Sequence, residues 1–149
     1  MTEALLTAVL DANILASGSV ASAGTIARLI ELWLAGRFTV FLSAHIMREV
    51  ERALAKPYFA ARLNSQATSD YLALVRSVAV FTELSARVHG VASHAADDLV
   101  LATAVSSRAE YLVTGDTKLL ELGSFRGVSI VGARAFLELL DGQSDVERG

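Results

Sequence analysis

A chain of 149 residues with 53% hydrophobic side chains, one proline and a formal net charge of −3 is long enough for a single domain with an enclosed core, and too apolar to be disordered or fibrous. The absence of cysteine excludes disulfides, thiolate metal sites and cysteine nucleophiles, and suits a reducing compartment. The acidic balance argues against a surface that binds nucleic acid all over, yet eleven of the thirteen cations are arginine, the side chain best shaped to grip phosphate or carboxylate through two hydrogen bonds, so local basic patches are open.

The opening run MTEALLTAVLDANILA is apolar but lacks a basic leader and is interrupted by Glu3 and Asp11, so it does not read as a secretion signal. No segment reaches the roughly 18 uninterrupted apolar residues of a spanning helix, and the expectation is a cytoplasmic protein with no membrane contact.

In chain order, residues 5–10 (LLTAVL) read as a buried strand. The stretch 23–38 follows as a helix, with Ile26, Leu29, Ile30, Trp33 and Leu34 at helical spacing and a stop at Gly36. Residues 38–42 (FTVFL) give a second strand. Ser43 then caps a helix whose apolar stripe is Ile46, Met47, Val50 and Leu54 and which ends before Pro57. Residues 57–77 are helical, 78–81 (VAVF) form a short strand, and a polar connection contains Gly90. The last third alternates more sharply: helix DDLVLATAVSSR, strand EYLVTG, short helix DTKLLEL, strand VSIV and helix ARAFLELL. Residues 1–141 are expected to form one domain, with 142–149 a frayed tail.

Strands apolar throughout and separated by helices predict an α/β fold, a three-layer α/β/α sandwich around a central parallel sheet, with its ligand site beyond the carboxyl ends of the strands. Asp11 and Asp116 fall at such strand ends. Glu49 lies on the helix opened by Ser43, and Asp97 and Asp98 open the helix before the Asp116 strand. Each has an ordinary structural use: Asp97, Asp98 and Asp116 as helix caps, Glu49 as a solvated helix residue, Asp11 as a turn former with Asn13. Their convergence would be costly, since two carboxylates about 4 Å apart repel by roughly 4 kcal/mol at an effective dielectric near 20. A divalent cation would remove that repulsion, and an all-oxygen set selects Mg²⁺ or Mn²⁺. Asn13 and Thr114 add oxygens that can orient the carboxylates. The chemistry such a set suits is metal-dependent hydrolysis of a phosphodiester by activated water.

The segments VLDANILASG, LSAHIMREV, DDLVLATAVSSRAEYLVTGDTKLL and VSIVGARAFLELL, in this order and separation over about residues 7–140, resemble the PIN-domain nucleases, in particular the bacterial VapC-type toxins. The resemblance implies that Asp11, Glu49, Asp97 and Asp116 form a metal-binding catalytic site. It also implies supporting roles for Asn13, Ser43 and Thr114, with Asp98 as a possible substitute for Asp97. It further implies an Mg²⁺- or Mn²⁺-dependent endoribonuclease that forms a homodimer and is inhibited by a small antitoxin protein. One departure stands out: where many relatives open the third motif with an Asp-Pro pair, this chain has HAADD, with His94 in the usual place of the first acid. His94 reads as a loop residue, and His45 and His89 have no metal-ligand spacing. Arg28, Arg48 and Arg52 are candidates to hold RNA phosphates or an antitoxin's acidic groups.

Two other readings compete. A phosphoacceptor regulator also pairs a strand-end acid with Thr and Lys on an α/β fold, but here Glu49 is helical and Lys118 follows Asp116 too closely. A catalytically silent PIN-like module binding RNA or protein would be expected to have lost one of the four acids, and none is lost.

Overall fold

The computed structural model describes residues 5–148, with side chains described as far as residue 143. Its centre is β1 (Thr7–Leu10), flanked by β2 (Thr39–Leu42) on one side and β4 (Tyr111–Val113) on the other, all parallel. Adding β3 (Val80–Phe81), β5 (Ser124–Phe125) and β6 (Val128–Val131) gives a six-stranded sheet in the order β3-β2-β1-β4-β6-β5. The chain builds outward from β1 through β2 to β3 and then crosses back to lay β4 on the other side of β1. That reversal opens a crevice at the carboxyl ends of β1 and β4, where open α/β sheets bind ligands.

The sheet is not wholly parallel, as the run of apolar strands had suggested: β5 pairs antiparallel with β6. The two residues between them, Arg126 and Gly127, have φ values of 46° and 86°, the pair of positive angles that a type I′ hairpin turn requires. An arginine in that role carries no turn signature, which hid the hairpin.

Helices α1 (Ala12–Gly18), α2 (Thr25–Leu34), α3 (Ala44–Leu54), α6 (Ala95–Ser107) and α8 (Ala133–Arg148) flank the sheet, with short α4 (Pro57–Ala60), longer α5 (Ser65–Val78) and α7 (Thr117–Leu122) in the connections. Helix α1 was not foreseen; too short to show a hydrophobic period, it starts because the Asp11 side chain caps it. Ile14, Leu15 and Ala16 are buried within it, and the Tyr71 hydroxyl donates to the Leu15 carbonyl at 2.6 Å, joining α5 to α1. Helix α6 is apolar on nearly every side because it packs over β1, β2 and β4 and against α3. Phe136 of α8 is fully buried, with ring centroids 5.1 Å from Phe38 and 5.4 Å from Tyr111.

The pattern that defined the last helix ended at Leu140, whereas the backbone of α8 continues to Arg148. The side chains from 144 onward, on which most of the frayed-tail expectation falls, lie outside the described residues. No helix among the described residues is long and apolar enough to cross a membrane.

Candidate acidic cleft at the strand-order switch

Asp11 is the first residue past β1, and its N–H still donates to the Val113 carbonyl of β4 at 3.0 Å, so the sheet ladder itself places it. One carboxylate oxygen accepts the Ala12 N–H at 2.7 Å, capping α1; the other accepts the Thr114 hydroxyl at 2.7 Å. The residue is only 7% exposed. Burial raises its pKa against the opposing pull of those two hydrogen bonds, and the charges of Asp116 and Glu49 push it further in the same direction.

Thr114, fully buried at the end of β4, serves both neighbouring acids. While its hydroxyl donates to Asp11, the same oxygen accepts the Asp116 N–H at 3.1 Å. Asp116 in turn caps α7, accepting the N–H groups of Lys118 at 2.9 Å and Leu119 at 3.0 Å. Asp97, in the first turn of α6, accepts no hydrogen bond among the described residues. Its pKa is raised by burial, then by Asp116 and Asp11, with His94 opposing. Glu49 stands on α3 and is bound by the Arg52 guanidinium at 2.6 Å.

These four acids line one small cleft of about 120 Å³, together with Asn13. Sequence distance is no obstacle, because the carboxyl ends of β1 and β4 and the facing turns of α3 and α6 bring the segments to one edge. Asp116 keeps the helix-capping use the sequence allowed it, Asp11 caps α1 instead of forming a turn with Asn13, and both still face the cleft. As the side chains stand, no three His, Asp or Glu among the described residues are gathered closely enough to hold a cation.

Other candidates lie elsewhere. Asp98, the alternative to Asp97, does not line the cleft: it is 6% exposed and accepts the N–H groups of Gly90 at 3.0 Å, Val91 at 3.2 Å and Ala92 at 2.7 Å. Those bonds hold its pKa below the ordinary value and commit it to the loop before α6. Consecutive residues on a helix point about 100° apart, so only one of the pair can face the cleft. Ser43 is likewise absent from the cleft; its buried hydroxyl caps the Ile46 N–H at 3.4 Å and bonds the Thr103 hydroxyl at 2.8 Å, joining α3 to α6.

Of the three arginines only Arg52 lines the cleft. Arg28 pairs with Glu31 on the exposed side of α2 at 3.7 Å, and Arg48 lines a separate groove with Arg76 and Phe81. Two polar lining residues were missed. Lys56 lies just past the end of α3, outside the helical spacing that carries Arg52, and had no sequence signal. His45, whose Nε2 lies 3.0 Å from the Ala96 carbonyl, bridges α3 to the start of α6 and had no sequence signal. Lys118 does not line the cleft, so the arrangement of a phosphoacceptor site is not formed.

Fold and site together define a mainly parallel α/β domain with an acidic cleft at the point where strand order reverses. The model of the PIN domain matches residues 7–118, and the chain belongs to the PIN-domain family. No curated protein sequence matches it significantly. Among solved structures it is similar to the Pyrobaculum aerophilum protein PAE2754, with TM-score 0.62 and 21% identity over 92% of this chain and 90% of that one. It is also similar to VapBC2 from Rickettsia felis, solved bound to a DNA fragment from its promoter, with TM-score 0.58 and 17% identity over 84% and 97%. A third similar structure is the Mycobacterium tuberculosis toxin VapC20, described as cleaving the sarcin-ricin loop, with TM-score 0.55 and 16% identity over 82% and 98%. At these identities the likeness is one of fold.

Proposed function

We propose that this PIN domain is a divalent-cation-dependent endoribonuclease of VapC type, the toxin half of a toxin–antitoxin pair. The observation that carries the reading is the shared cleft of Asp11, Glu49, Asp97 and Asp116, in which burial and mutual repulsion raise the pKa of both Asp11 and Asp97. Repulsion of this kind is relieved by a cation, and the donors are all oxygens, which fits Mg²⁺ or Mn²⁺. The four acids would hold the cation, with Asn13 at its edge. When bound, such an ion supplies water activation and neutralises charge developing on the phosphodiester.

The remaining work falls to the chain. Thr114 fixes the Asp11 carboxylate, the α7 N–H groups fix Asp116, and Arg52 and Lys56 offer cations to the nucleic-acid backbone at the same mouth. The assembly proposed with this activity is a cytoplasmic homodimer inhibited by a small antitoxin protein.

Incubation of the purified protein with mixed RNAs, with and without Mn²⁺ and beside Asp97→Asn, tests the reading. Cleavage that requires both the ion and Asp97 is expected; equal cleavage by the variant overturns it. The silent-module reading draws on the Arg52–Glu49 pair, which occupies one of the acids. It predicts neither cleavage nor thermal stabilisation by Mn²⁺.

A further inference from the structure

Glu49 differs from the other acids of the cleft in what holds it. Asp11 and Asp116 are fixed by hydroxyl and backbone donors that cannot leave without unfolding a strand end or a helix start, and Asp97 accepts no hydrogen bond among the described residues. Glu49 is instead bound to Arg52, a side chain 68% exposed and mounted one turn along the same helix. Exposed pairs at this spacing are weak, so a stronger anion can take the arginine over. A phosphodiester is such an anion, because guanidinium and phosphate match through two parallel hydrogen bonds. Both partners line the cleft, so a strand entering it meets Arg52 beside the acids.

We infer that Arg52 is a substrate-responsive lock on Glu49. In the free protein it holds the carboxylate, and a nucleic-acid phosphate entering the cleft draws the guanidinium away and releases Glu49 to the cation. Cation and strand therefore bind cooperatively, and by linkage each raises the affinity of the other by the same factor. Lys56, on the same rim but in no ion pair among the described residues, attracts phosphate without locking an acid. The inference rests on the nuclease reading and adds an order of events to it.

Calorimetric titration of Mn²⁺ into the native protein, Arg52→Gln and Lys56→Gln, each with and without a short 2′-O-methyl oligoribonucleotide that resists cleavage, tests the lock without reference to activity. The oligonucleotide is expected to tighten Mn²⁺ binding to the native protein by about two- to fivefold, the range set by an exposed pair. Arg52→Gln should show the tightened binding already and gain nothing from the oligonucleotide, while Lys56→Gln keeps the native response. Equal Mn²⁺ affinity of the native protein and Arg52→Gln, both without oligonucleotide, overturns the lock and leaves the cation site standing. With the oligonucleotide saturating for each variant, so that any weaker phosphate binding by Lys56→Gln is overcome, loss of the response in Lys56→Gln as complete as in Arg52→Gln also overturns it, by reducing the effect to net charge. If the native protein takes up no Mn²⁺ under either condition, the nuclease reading itself fails and the lock falls with it. Both substitutions lie at exposed positions, and circular dichroism confirms that the variants are folded.

Discussion

The Thr114 hydroxyl links the two strand ends of the cleft, donating to Asp11 and accepting from the Asp116 backbone. Thr114→Val keeps the shape and leaves the buried Asp11 oxygen without its donor. It should cost about 1–3 kcal/mol of stability and roughly 10- to 100-fold in cleavage, read by denaturant unfolding and by single-turnover kinetics. Asp97→Asn has the opposite stability sign, because it removes a repelled charge that accepts no hydrogen bond. Since the group is only part-buried and water screens the repulsion, the gain in the cation-free protein is at most about 1 kcal/mol, roughly 2–4 °C, while cleavage falls by at least about 100-fold. Asp11→Asn removes a like charge too, but its two hydrogen bonds offset the gain, so Asp97 gives the cleaner test.

The pH dependence follows from the same groups. With pKa values raised above 3.8, Asp11 and Asp97 contribute stability that is full below that value and lost as pH rises through their folded pKa values. Asp98, with its pKa lowered, contributes stability present above 3.8 and lost as pH falls through its folded pKa. In chelator, Asp97→Asn should therefore differ least from the native protein at acid pH and most near neutrality. Thermal melts across the acid range check this; a difference that is constant with pH would contradict the repulsion.

At the scale of elements, Ser43 caps α3 as the sequence predicts and also makes a contact the sequence does not show. Its helix-capping role was legible from the apolar stripe that follows, but the bond to Thr103 depends on α6 lying beside α3. Ser43→Ala should cost about 1–2 kcal/mol in unfolding experiments and leave the metal dependence of cleavage unchanged. Gly18 ends α1 against α2 and α5: an added Cβ would stand 2.7 Å from Ile30 Cγ1 and 3.1 Å from the Tyr71 hydroxyl. Gly18→Ala is therefore expected to lower stability by about 1–3 kcal/mol, measured by the same unfolding. Short elements were the ones the pattern lost. Helix α1 has seven residues and β5 two, too few for a period to show, and each exists because of a cap or a turn.

For the whole molecule, the sheet order puts Asp11 and Thr114 side by side at the crevice where the chain reverses its direction of growth. The α3 and α6 turns that carry Glu49 and Asp97 face that edge. A cation that binds this folded cleft and not the open chain should raise the melting temperature. Mn²⁺ at a hundred times its dissociation constant stabilises by about 2.7 kcal/mol, and a thermal-shift titration should show the rise in the native protein and lose most of it in Asp97→Asn.

The sequence by itself determined the alternation of strands and helices, the mainly parallel core and the set of candidate acids, because apolar period and strand-end carboxylates are local properties of the chain. It also carried the family likeness, through the order of its motifs. Which of the adjacent pair Asp97 and Asp98 faces the cleft was decided by the loop that takes up the Asp98 carboxylate. That Glu49 is held by Arg52, that Ser43 points into the α3–α6 contact, and that Lys56 and His45 join the cleft were likewise decided only in the folded chain. The direction of a side chain depends on partners brought near by sheet order and helix packing, and those partners are not neighbours in the sequence.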